Sequence, residues 1–89
     1  MSYALAFAPD AGTQWQELDL WLQELALDEA DSVASAPPPT SEVIYRDILH
    51  TQGNERHYLF LRLTVDHDKE QITLIGLAHL LRVDNPESN

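Results

Sequence analysis

The nine residues HYLFLRLTV, His57 to Val65, constrain this chain more than any other stretch. Leu59, Leu61, Leu63 and Val65 recur at every second position and make a wholly aliphatic face, while Tyr58, Phe60, Arg62 and Thr64 point the other way. Alternation with period two marks a strand, because successive side chains leave opposite faces of a pleated backbone. A strand aliphatic on one side and mixed on the other belongs in the middle of a sheet, with helices over the aliphatic side. The rest of the chain has to supply those helices and the flanking strands.

Tyr3, Leu5 and Phe7 alternate with alanines and predict a short first strand. Pro9 and Asp10 then mark a helix start, since proline gives up an N–H that would be unpaired anyway and the acid meets the positive helix end. The helix is expected to continue through TQWQELDLWLQELALDEADSVAS, with Trp15, Leu18, Trp21, Leu22 and Leu25 as one apolar stripe and Glu17, Glu24 and Asp28 nearly opposite. Leu20 and Leu27 fall off that stripe, near Asp19 and Asp31. Either two leucines protrude, or the helix breaks near Leu27 and resets its face. Glu29 lands back on the apolar stripe, so a break or bend at residues 27–29 is expected. Aligned exposed leucines also make Leu20 and Leu27 candidates for contact with a partner chain.

Pro37, Pro38 and Pro39 stop the helix, because they remove donors and push Ala36 out of helical dihedrals. Three strands are expected after this stiff connector. Val43–Leu49 is the first, His57–Val65 the second and Gln71–Leu80 the third, with turns at Gly53-Asn54 and at Asp66–Glu70. The expected fold is α+β: an antiparallel sheet of about four strands, with one long or broken helix (a helical pair) packed on one face. Residues 1–89 form a single domain, with 83–89 as a frayed tail.

Charge narrows the partners. Five Lys/Arg against fifteen Asp/Glu give a formal charge of −10, and Lys69 is the single lysine. Affinity for phosphates comes largely from displaced counterions, so long-range attraction to nucleic acid or anionic lipid is opposed and a basic protein segment is the natural partner. No cysteine is present, which fits a reducing, cytoplasmic setting and excludes disulfide and thiolate–metal frameworks. MSYALAFAPD lacks the basic flank of a signal peptide, and no apolar run approaches the ~18 residues that span a bilayer. There is no glycine-rich phosphate loop, GxSxG, or HxH or HxxxH spacing, so neither a metal nor a cofactor is expected.

Several features taken together resemble the RelE/ParE toxin superfamily of bacterial toxin–antitoxin systems. They are the opening YALAFAPDA, the Trp- and Leu-rich helix, the strand and turn HYLFLRLTVDHD, and the closing strand ending LAHLLR. The resemblance covers most of residues 3–82 and lies in pattern and order. It implies the fold above and an antitoxin-like partner. In members that cut mRNA in the ribosome, it also implies Arg, Lys, His and Tyr on the open sheet face that hold a phosphate and activate a ribose hydroxyl. Carried over by position, these are His79, Arg82, Arg62, Arg56 and Tyr58. The chain departs from such members in its acidic charge, in having no lysine before the central strand, and in a second helix cut off by the prolines. Those departures argue against a working nuclease.

Residue by residue, alternatives stay open. His79 reads as a proton-transfer group or as a strand-end histidine bonded to backbone. Arg62 reads as a phosphate holder, or as an ion-paired stem covering the sheet. His67, between Asp66 and Asp68, reads as part of a solvated turn. Hairpin register decides the neighbours: a five-residue loop sets Val65 opposite Gln71 and His57 opposite His79, whereas a four-residue loop places His79 near Arg56. The first arrangement would suggest a two-histidine metal site, a weak signal for zinc.

The expectation is a RelE/ParE-like protein, diverged from nuclease chemistry, that works through protein–protein contact with a basic or amphipathic antitoxin-like segment over the helix or the open sheet face. The alternatives are an active, ribosome-dependent and metal-independent endoribonuclease, and a small acidic structural protein that forms a homodimer.

Overall fold

The structure, a computed structural model, describes residues 2–40 and 42–84. In chain order it contains β1 (Ala4–Phe7), α1 (Pro9–Gln16), α2 (Leu20–Ser35), β2 (Val43–Gln52), β3 (Glu55–Asp66) and β4 (Gln71–Val83). The four strands form one sheet in the order β1-β4-β3-β2. As the alternation demands, β3 is central, antiparallel to both β2 and β4. The sheet as a whole is mixed, because β1 pairs parallel to β4, Ala4 opposite Gln71 through Phe7 opposite Leu74. The helices form a crossover between β1 and β2, and two hairpins then return the chain in its starting direction. Parallel neighbours require such a crossover, and here the helical layer supplies it.

The helical layer is broken, but not at residues 27–29. Pro9 opens α1 as expected, with Asp10 in its first turn. The chain turns at residues 17–19, where the Glu17 and Leu18 N–H groups donate to Gln14 and Trp15 carbonyls, and α2 then runs unbroken to Ser35. Both helices are therefore complete before the prolines. The expected apolar stripe spans the break: Leu22 is buried, and Trp15, Leu18, Trp21 and Leu25 pack against the core. It continues as Ala26, Ala30, Val33 and Ala34, whose small side chains let α2 lie close on the sheet. Glu29 lies at the side of this stripe, where its carboxylate approaches Arg46 Nε at 4.0 Å. No reset of the helix face is needed.

Beneath the helices lie Leu59, Leu61, Leu63, Val65, Ile72, Leu74 and Leu77, all buried. Each fully buried side chain of this kind contributes about 1.5–3 kcal/mol through lost contact with water. Two turns set the registers. Gly53, at φ 60°, opens a two-residue turn between Gln52 and Glu55, where only glycine takes a positive φ without strain. The second hairpin has a four-residue loop, with Asp66 opposite Gln71. The end of β4 is pinned to the first turn: Asp84 N–H donates to Asn54 O, and Asn54 Nδ2 donates back to Asp84 O. Residues 83 and 84 are thus held rather than frayed, and 85–89 lie outside the described residues.

Candidate functional site

One irregularity in β4 decides which side chains meet. The register runs Leu63 opposite Leu74 but Arg62 opposite Gly76, so Ile75 is an extra, bulged residue. Before the bulge, Ile72 and Leu74 face the helices; after it, Leu77, His79 and Leu81 do. Neither register expected from loop length is therefore realised along the whole hairpin. The loop has four residues, yet Leu59 stands opposite His79, His57 opposite Leu81 and Arg56 opposite Arg82. The signal was present in the sequence as the three-residue step from Leu74 to Leu77 across Gly76, since glycine inside a strand pattern often marks a bulge.

The sheet separates the residues expected to act together. Arg56, Tyr58 and Arg62 leave the even-numbered, open face of β3, and Arg82 joins them opposite Arg56. His79 lies on the other face, among the helix-side residues. His50 and His57 share that side and His67 sits in the β3–β4 loop, so no histidine stands on the open face. His67 is not a solvated turn residue: it contacts Tyr3 Oη through Nδ1 at 2.8 Å, and its Nε2 is buried with no partner. Arg56 is engaged by Asp84, at 3.0 Å.

Arg62 has a different setting. Its guanidinium lies over Gly76, so close that a Cβ there would come within 3.2 Å of Nε and Nη2. It lines a groove of about 410 Å³ on the open side of the sheet, with Tyr45, Asp47 and Phe60 from β2 and β3 and with Asp10 and Gln14 from α1. Gln14 closes that end by accepting a hydrogen bond from the Leu77 N–H at 3.0 Å, which satisfies a β4 donor left unpaired where short β1 ends. Tyr45 and Asp47 were not singled out in the sequence because groove membership depends on cross-strand register. Tyr45, Leu49, Phe60 and Leu80 are exposed on this face, Tyr45 at 71%, and the Tyr58 and Phe60 rings lie nearly parallel at 6.5 Å. An arginine with aromatic faces beside it can hold an anion and stack on a planar group.

His79 instead meets His57, its Nε2 3.0 Å from His57 Nδ1. Burial, then the nearby His57, lowers the His79 pKa from its ordinary value of 6.5, against a smaller opposing pull from Asp19. Among the described residues no three His, Cys, Asp or Glu side chains converge to hold a metal ion. Leu20 is 70% exposed and Leu27 37%, so the two aligned leucines do protrude from α2. Between and beside them lie exposed Glu24, Asp28 and Asp31. From Pro9 to Ser35 the chain has acids at positions 10, 17, 19, 24, 28, 29 and 31 and no basic residue. Among the described residues no helix is long and apolar enough to cross a membrane.

A helical pair thus lies across one face of a β1-β4-β3-β2 sheet whose grooved opposite face is left open. Solved structures share this fold. The chain is similar to one from the intact E. coli RelBE toxin–antitoxin complex, with TM-score 0.70 and 17% identity over 91% of this chain and 100% of that one. It is similar to the isolated E. coli RelE toxin, with TM-score 0.61 and 17% identity over 98% and 90% of the two chains. The archaeal RelE–RelB complex from Pyrococcus horikoshii gives TM-score 0.56 and 18% identity over 86% and 93%. No protein-family model matches the sequence, and no curated protein matches it. The chain therefore has a RelE-like fold, as the resemblance implied.

Proposed function

We propose that this protein is the toxin-fold member of a toxin–antitoxin-type pair, and that it acts by binding a partner protein segment. The observation that carries this reading is the division of its surface. The helical layer is wholly acidic and presents Leu20 and Leu27 in one row, while no histidine accompanies the arginines of the open face. An amphipathic partner helix with aliphatic residues flanked by Lys or Arg fits the α2 face: leucines supply buried area, and Glu24, Asp28 and Asp31 supply charge complementarity. RelBE and RelE–RelB complexes among the similar structures favour a partner of the antitoxin kind.

The test is co-expression with the product of the adjacent gene, followed by co-purification and affinity measurement. Tight binding by the wild type, lost in Leu20→Asp with Leu27→Asp and kept in Arg62→Ala, is expected. Binding unaffected by the leucine pair refutes the α2 site. A change of mass without the partner would instead reveal pairing of two copies.

A second reading has its own support. Arg56, Arg62 and Arg82 share one face with Tyr45, Tyr58 and Phe60, which suits a single RNA strand despite the net charge. Growth arrest on expression, with new 5′ ends in ribosome-bound mRNA that vanish in Arg62→Ala, would establish a nuclease. Normal growth with intact message is expected.

A further inference from the structure

Three histidines and one indole meet at the end of the sheet beside the Gly53 turn. His57, 6% exposed, is the buried polar residue of the core among the described residues. Its Nδ1 faces His79 Nε2 at 3.0 Å, with the two rings within 4° of parallel. Its Nε2 faces Glu55 Oε1 at 3.4 Å. Trp21, in the first turn of α2, closes over His57 edge to face at 4.7 Å and also leans on His50 at 5.2 Å. The charged and titratable groups around the pair are Glu55 from β3, His50 from β2 directly opposite His57, Glu17, which lines a cavity with His79 at the joint between the helices, and Asp19, whose field reaches His79 from the same joint.

A nitrogen–nitrogen contact of 3.0 Å holds only with one hydrogen between the two atoms. The neutral pair meets that condition. So does the pair with one added proton: His79 Nε2–H donates to His57 Nδ1, and His57 Nε2–H points to Glu55. A second added proton sets N–H against N–H, and the two like charges meet beside a buried ring where water screens little. His79, on the exposed rim, can swing away. His57 cannot, and is left with a charged Nδ1–H that has no acceptor under Trp21. Only water can then satisfy it, and water reaches it only if the indole lifts.

We propose that the His57–His79 pair is an acid-opened latch, which holds Trp21 and the first turn of α2 on the sheet until a second proton enters and releases them. Because Leu20 sits in that turn, the latch ties the position of the α2 face on the sheet to pH.

The experiment is a pH titration of the full chain by NMR, following the histidine rings, the Trp21 indole and the Leu20–Leu22 amides. The pair is expected to take up its protons in two successive steps, with the α2 signals still in the first and moving in the second. In His79→Gln the side-chain amide can donate to His57 or accept from it without titrating, so the α2 step disappears. It persists in His50→Gln. In Asp19→Asn, with the field favouring protonated His79 gone, it moves to lower pH. Static α2 amides while both rings titrate would overturn the latch, as would a step that survives His79→Gln or vanishes in His50→Gln. Should His79→Gln fail to fold, the wild-type titration decides alone: two independent one-proton curves with unmoved α2 amides refute the proposal.

Discussion

Leu20 and Leu22 stand two residues apart in one helix, and their surroundings separate what the same substitution does to each. Leu22 is 2% exposed within the core, whereas Leu20 is 70% exposed at the start of α2. Two residues rotate the direction of a helical side chain by about 200°, so one leucine faces the sheet and the other solvent. Truncating a buried leucine to alanine costs about 2–5 kcal/mol, a transfer cost plus the cavity left behind. Since α2 is backed by solvent and can settle toward the sheet, the cavity closes in part and a loss of about 3 kcal/mol is expected for Leu22→Ala. Total stability for a domain of this length is about 4–13 kcal/mol, so the loss is a large share of it. At about 4–8 °C per kcal/mol, Tm falls by roughly 12–24 °C. For Leu20→Ala the change stays within about 0.5 kcal/mol, because an exposed site is altered and alanine is a good helix former. Urea unfolding followed by circular dichroism reads both, with unchanged slopes confirming that the unfolding remains one transition. Equal losses at the two positions, or a larger loss at Leu20, would refute the placement of α2 and of the break before it.

Gly53→Ala forces an L-residue to a positive φ in the β2–β3 turn and is expected to cost about 1–2 kcal/mol, visible as a lower melting temperature. Gly76→Ala is expected to behave oppositely: the atoms nearest the new Cβ belong to the guanidinium of exposed Arg62, which can swing aside, while a stiffer strand residue gains up to about 1 kcal/mol. A clear loss of stability there would mean that Arg62 is held in place. The urea midpoint should fall as pH drops through and below 6.5, the ordinary histidine value. With the folded-state pKa of His79 depressed, the unfolded chain takes up the proton first, so the stabilisation is present above that value and lost below it. His79→Gln should flatten this part of the profile.

The fold was legible where a pattern is local and repeated. Alternation in His57–Val65 placed a central strand and assigned Arg62, Tyr58 and Phe60 to the face away from the helices. Pro9-Asp10 started a helix and three prolines ended the helical layer. The break at residues 17–19 was hidden because Trp15, Leu18, Trp21 and Leu22 keep helical spacing straight across it, so periodicity gave no hint of the turn. Glu29 misled for a related reason: a residue at the edge of a buried stripe looks misplaced until Arg46, on a strand distant in sequence, is seen beside it. Of the site candidates, Arg56, Tyr58 and Arg62 are kept together by strand parity alone. Arg82 joins them and His79 leaves them through one bulged residue, Ile75, which reverses the parity of everything after it.

By itself, then, the sequence determined the order of the helical layer and the strands, which face of β3 is buried, and that the chain is acidic with its arginines few. The tertiary structure alone decided that β1 runs parallel to β4, that His79 pairs with His57 under Trp21, and that Arg62 lies in a groove with Tyr45, Asp47 and Phe60. The physical reason is range. Backbone sterics and side-chain periodicity act between residues a few positions apart, whereas cross-strand register is settled by burial summed over a whole sheet, and a single extra residue changes which side chains it brings together.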